Sequence, residues 1–313
     1  PGERMVLGRN PRYHGRFGGN ANRVELFHDA AATWSTGLAL YEGDDLDVLR
    51  LTRFPPEERD RARQRHAVEL VSYQIPGMYY IGLNPTLPPF DDLRVRQAFA
   101  LGINREHLPR MTTHSGLQYY TGGFVPLGVP GHSPGIALPY DPDQARWLLA
   151  EAAYPGGAGF PIVRALAFDV SRPVLEPLVD LWREALGIQV DPEVVDIQTF
   201  NDRLERDMPH LHATGWLPHY PDPNTFLHVA VSRLTRRWRN EAYEDLVERA
   251  GRCPDHAERM RLYGQADRML VEEAIVVPLG SGREYQLLKP WVGRYPLSPF
   301  RWSFWSDVVI EPH

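Results

Sequence analysis

Segments with helical periodicity and segments with strand character alternate along nearly the whole chain. That alternation confines it to an α/β architecture, in which helices cover the faces of a sheet. The clearest helix is DPDQARWLLAEAAYP, residues 141–155. Asp141 is a strong N-cap, Pro142 suits the first helical position and Gln144 completes a capping-box pattern. Ala145, Leu148, Leu149 and Ala152 form one apolar stripe, which Pro155 and Gly156 stop. DDLRVRQAFALGIN predicts a second helix over 91–104, with its acidic residues at the positive end of the helix dipole. Further helices are expected over 172–186, 240–250 and 255–273, and strands over 21–27, 67–72, 78–83, 161–168, 188–195 and 275–279. The proline-rich LNPTLPPF reads as an inter-lobe connection.

At 313 residues the chain is long enough for two domains, and 43% hydrophobic with 24% charged residues is the balance of a soluble globular protein. No apolar run approaches the roughly 20 residues needed to span a bilayer, and PGERMVLGRN lacks the apolar core of a signal peptide and an initiator Met. The chain therefore reads as part of something longer or processed. A single cysteine, Cys253, excludes an internal disulfide and a cysteine-rich metal site. A net charge of −6 argues against a general affinity for nucleic acid or anionic membrane. The one basic stretch, SRLTRRWRN at 232–240, reads as a solvated loop because nothing around it resembles a nucleic-acid module.

GWLPHYPDP, residues 215–223, sets three prolines among Trp216, His219, Tyr220 and Asp222. Proline fixes φ and removes a donor, so these side chains are held in nearly one arrangement. The stretch is either a surface turn whose Trp folds onto the core or a preorganised ligand wall. An Asp preceding Pro223 also has a simple use, capping the next turn. In SRPVLEPLVDLW, Ser171 is expected to cap a helix, and Arg172 beside the helix N-terminus suits a carboxylate. GHSPG at 131–135 fits the G-x-S-x-G pattern of a hydrolase elbow, but its flanks are loop-like and Pro134 cannot supply the oxyanion-hole N–H. Metal binding is the stronger rival. His210 and His212 would alternate on one strand face, with His219 and His228 following, although no H-E-x-x-H occurs.

Taken in order, YEGDDLDVL, GLNPTLPPFDDLRVRQAFALGINRE, PYDPDQARWLLAEAAYP, LGIQV, GWLPHYPDPNTFL and NEAYEDLVERA resemble the family 5 extracellular solute-binding proteins, the peptide, dipeptide and nickel receptors of ABC importers. The resemblance implies a type II periplasmic-binding-protein fold, α/β in two lobes that close on a ligand, with one lobe incomplete. Residues 1–80 and 281–313 would belong to that partial first lobe, 84–278 would form the complete second lobe, and 81–83 and 279–280 would be the hinge crossings. In the family the stretch matching 215–223 usually runs Gly-Trp-x-x-Asp-Tyr-x-Asp-Pro and faces the cleft. Trp216, Tyr220 and Asp222 match it, whereas His219 stands where peptide receptors place the Asp that pairs with a ligand amino group. An imidazole cannot supply that fixed negative charge. The candidate ligand set is Trp216, His219, Tyr220, Asp222, Arg172 and Asn84, with no catalytic residue, no metal ligand and no cofactor. The expected partners are a small-molecule or short-peptide ligand and an ABC permease. Neither nucleic acid nor membrane is expected, save through an anchor outside this chain. The setting is extracytoplasmic, or cytoplasmic if the domain belongs to a ligand-sensing regulator.

Overall fold

The computed structural model describes residues 4–27, 34–52, 54–111, 117–234, 238–298 and 305–313. The chain divides into two compact units, one made of residues up to 75 together with 283–313, the other of residues 76–282.

The larger unit is built on a six-stranded mixed sheet. Its order is Gln118–Tyr119, Val276–Ser281, Met78–Leu83, Leu211–Trp216, Val163–Phe168 and Val190–Val195. Val163–Phe168 is parallel to both of its neighbours, and the remaining pairs are antiparallel. Side chains alternate across a strand, so each central strand feeds two cores. Ile81, Leu83, Leu211, Ala213, Val277 and Leu279 enter one core with helices Leu93–Leu101, Pro142–Glu151 and Arg172–Leu186. Met78, Tyr80 and Val276 enter the other, with helices Glu241–Arg252 and His256–Glu272 and the π-helical turn Thr225–Ala230. Beside it, Leu166 packs with Phe200 and Leu204 of helix Ile197–Arg206.

Local chemistry accounts for most boundaries and corrects some expectations. Asp141 caps its helix by accepting from the Gln144 N–H at 2.9 Å. The capping box stays half-made, because the Asp141 N–H donates instead to the Leu101 carbonyl. The helix expected over 91–104 is shorter. Asp92 lies outside it as the N-cap, accepting from the Arg94 N–H at 2.8 Å, and the helix ends at Leu101. Ser171 precedes its helix without a side-chain cap; its buried hydroxyl turns back to the Phe168 backbone.

The smaller unit has a three-stranded sheet in the order Val48–Arg50, Arg283–Leu288, Leu70–Gln74. Tyr41, Leu49, Leu51, Phe54, Ala62 and Leu287 form its core with helices Trp34–Glu42 and Pro56–Arg65. Two ribbons complete it, Arg4–Gly8 with Arg23–Phe27 and Val292–Arg294 with Val309–Ile310. Among the described residues no helix is long and apolar enough to cross a membrane.

Candidate functional site

Strand Leu211–Trp216 delivers the loop 217–224 to one end of the six-stranded sheet, with Trp216 opposite Met78 in the register. Trp216 is half-buried against the second core, and its Nε1–H points at Thr225 Oγ1, 3.4 Å away. The His219 N–H reaches the same hydroxyl at 3.3 Å. Thr225 is fully buried, so one side chain at the start of the π-helical turn holds the loop at two points. The His219 ring stands edge-on to Trp216, with centroids 5.6 Å apart and an interplanar angle of 86°. The Tyr220 hydroxyl donates to Asn224 Oδ1 at 2.8 Å. Burial, then the charge of Asp222, holds that phenol above its ordinary pKa.

Both Asp222 oxygens are engaged within the chain. Oδ1 accepts the Asn224 N–H at 2.9 Å, and Oδ2 pairs with Arg259 Nη2 of helix His256–Glu272 at 2.5 Å. The loop therefore presents an aromatic surface whose one carboxylate is paired within the chain. Such a surface recognises flat or apolar groups and directed hydrogen bonds in preference to a free cation.

The structure thus groups Trp216, His219, Tyr220 and Asp222 on one loop and puts the other two candidates elsewhere. Arg172 occupies the first turn of its helix, exposed, and pairs with Glu176 at 2.7 Å. Asn84 has no exposed surface. Its Nδ2 donates to the Met208 carbonyl at 3.0 Å, and its Oδ1 accepts from the N–H and hydroxyl of Thr86. Its place is that of a turn clamp.

The histidine alternative loses its geometry. His210 accepts the Arg164 N–H on Nδ1 at 2.9 Å and lies against Phe90 in the first core. His212 lies between Tyr80 and Phe200 on the other side of the sheet, and His228 is exposed. Burial lowers the His210 pKa and pushes that of His212 down to about 3. Among the described residues no group of three or more His, Cys, Asp or Glu is placed to hold a metal. Ser133 lies in a loop with no helix directly after it, and its hydroxyl donates to the Gly131 carbonyl at 3.5 Å. The His132 Nδ1–H is committed to the Val125 carbonyl at 2.7 Å. The elbow geometry of a hydrolase is not formed there. Residues 235–237 of the basic stretch lie outside the described residues.

Sequence reasoning missed Thr225, Asn224 and Arg259. The first two carried a signal, since DPNT is a turn-forming run. Arg259 meets Asp222 only through the fold.

The model of the bacterial extracellular solute-binding proteins, family 5 Middle, matches residues 1–235. The periplasmic oligopeptide-binding protein OppA of Escherichia coli (strain K12) is 26% identical over 99% of this chain and 59% of its own length. A probable deoxycholate-binding periplasmic protein of the same organism, YgiS, is also 26% identical, over 99% of this chain and 59% of its own. Among solved structures, Haemophilus influenzae OppA in complex with RPPGFSPFR superposes with a TM-score of 0.77 at 22% identity, covering 99% of this chain and 62% of that one. The fold is thus that of periplasmic binding proteins, and the chain spans about three fifths of the length of these relatives.

Proposed function

Because the chain belongs to the family 5 bacterial extracellular solute-binding proteins, we propose that it forms the greater part of the substrate receptor of an ABC importer. It holds a small polar or peptide-like solute reversibly against the wall 215–223, working outside the cytoplasm with an ABC permease as its partner. Residues 84–278 would act as one complete lobe. Binding proceeds by stacking and directed hydrogen bonds without covalent chemistry. The relatives named above are binding proteins, which favours this reading over a hydrolase or a sensing regulator.

The observation that carries the proposal is the loop itself. Trp216 is fixed at its Nε1–H by Thr225, yet keeps part of its surface open beside His219 and Tyr220. A rigid aromatic surface costs little conformational entropy when a ligand covers it. His219 and the pairing of Asp222 with Arg259 leave the wall without a free carboxylate. A free ammonium is then not the group it selects. Arg172 remains a secondary anion contact, and Asn84 supports the wall's lobe from within.

Titration calorimetry on the protein with trialanine, N-acetyl-trialanine and deoxycholate tests the reading. The blocked peptide or the sterol should bind at least as well as the free peptide. His219→Asp should reverse that order in favour of trialanine, by an amount on the order of 1–3 kcal/mol for a charge-assisted contact. Equal affinities for both peptides in both proteins would remove His219 from the site.

A further inference from the structure

Asp267 is wholly buried in helix His256–Glu272, in the core behind the wall. Among the described residues it makes no ion pair. Its oxygens instead accept two backbone N–H groups, from Phe124 to Oδ1 at 2.7 Å and from Val125 to Oδ2 at 3.4 Å. The loop that supplies them lies directly against the carboxyl. A Cβ on Gly123 would stand 2.1 Å from Asp267 Oδ2, so only glycine fits. The titratable groups facing this region are Tyr263 of the same helix, Tyr243 of helix Glu241–Arg252, whose hydroxyl donates to the Leu227 carbonyl, and His132 of the loop, which bonds Val125 from its other side. Burial pushes the Asp267 carboxyl up to about 7.

The same loop reaches the ligand wall. Gly131, at φ +78, runs so close to Pro223 that a Cβ there would stand 2.8 Å from Pro223 Cγ. Farther along, the Ser133 hydroxyl faces Gly264 of Asp267's own helix. That helix also carries Arg259, the partner of Asp222. One helix therefore grips the wall twice, directly through Arg259 and indirectly through the loop that Asp267 holds.

We propose that Asp267 is a positioning residue for the wall 215–223, fixing the loop 123–131 through the Phe124 and Val125 amides so that Gly131 backs Pro223. The consequence for binding rests on the wall being the ligand site; the positioning itself does not. Ionised, above about pH 7, the carboxylate accepts both N–H groups. Asparagine at this position sets an NH2 group against one of them and releases it.

Hydrogen exchange followed by mass spectrometry on the unliganded protein is the test, with the Trp216 emission obtained by subtracting Trp216→Phe. Asp267→Asn should speed exchange about tenfold both in 123–131 and in 215–224, leave strand Val163–Phe168 unchanged and shift the Trp216 emission. Acceleration confined to 123–131, or no acceleration at all, overturns the proposal. If Asp267→Asn loosens all three segments alike, Gly131→Ala decides. It strains the loop at φ +78 and presses on Pro223 and, less closely, on Met260 of the helix, without touching Asp267; it must shift the Trp216 emission and loosen 215–224, and a silent Gly131→Ala overturns the proposal. No ligand enters these measurements, so a wall that binds nothing would leave their outcome unaltered.

Discussion

His212 and Asp267, both without exposed surface, should oppose each other in the pH dependence of the larger unit's stability. Burial takes the His212 pKa from 6.5 down to about 3, and takes that of Asp267 from 3.8 up to about 7. The depressed histidine contributes stability that is present above 6.5 and lost as pH falls towards about 3, because only the unfolded chain takes the proton. The raised carboxyl contributes stability that is present below 3.8 and lost as pH rises through about 7, because only the folded chain keeps the proton. Between about pH 4 and 6.5 the two proton counts match, and slopes of about 1.4 kcal/mol per pH unit cancel. Single substitutions unmask them. Relative to wild type, His212→Leu should lose about 2 kcal/mol between pH 4.5 and 6, and Asp267→Asn should gain a similar amount. His212→Leu should also raise stability at neutral pH by about 1–3 kcal/mol, since among the described residues neither ring nitrogen has a partner to lose. Urea unfolding at three pH values on the three proteins measures this. Variant curves parallel to wild type from pH 4.5 to 6 would refute the reasoning.

Three further outcomes follow from named contacts. Gly82→Ala would drive a Cβ to 2.1 Å from the His212 ring, a cost of about 1–3 kcal/mol, and His212→Ala in the same chain should recover most of it; urea midpoints decide. Arg259→Ala frees the Asp222 carboxylate, so it should raise affinity for a free-amine peptide such as trialanine over its N-acetyl form, read by calorimetry, while costing about 1–3 kcal/mol of stability. Trp216→Ala should abolish calorimetric binding of whichever test ligand binds wild type, and lower stability by less than the roughly 3–5 kcal/mol of a fully buried indole; a larger loss of stability with affinity intact would make Trp216 a core residue.

The parts of the fold legible in the sequence were those in which cap, stripe and stop agree. Helix Arg172–Leu186 has the expected bounds, because Val174, Leu175, Leu178, Leu181, Trp182 and Leu186 line one face and Gly187 closes it in the left-handed region. Strands Met78–Leu83 and Val163–Phe168 were legible as compact apolar runs. Helix Pro56–Arg65 was not, for it buries only Arg59 and Ala62 and is laced by the pairs Arg61–Glu58 and Arg63–Asp60, so no hydrophobic period exists to find. Helix Ile197–Arg206 carried a readable start, Asp196 accepting from Gln198 and Thr199, but only Phe200 and Leu204 mark its buried face. Strand Arg283–Leu288 hid behind Val276–Ser281, because only a single residue, Gly282, separates the two.

The site shows a different limit. Composition and proline spacing point to a stiff aromatic loop, and the structure ties that loop to Thr225 at two points; its charge cannot be read from its own letters. Nothing in GWLPHYPDP pairs with Asp222, yet in the fold its carboxylate is ion-paired, because Arg259 reaches it from helix His256–Glu272. The same strand that carries the loop explains how such distant control arises. On Leu211–Trp216 the odd-numbered Leu211 and Ala213 fill the first core, while the even-numbered His212, Thr214 and Trp216 face the second. Helix His256–Glu272 belongs to that second core, so whatever seats the helix also seats Trp216, Asp222 and the loop behind Pro223. In the proposed site, selectivity would then be a property of the packing beneath the wall: Arg259 would set the charge a ligand meets, and Asp267 where the surface stands.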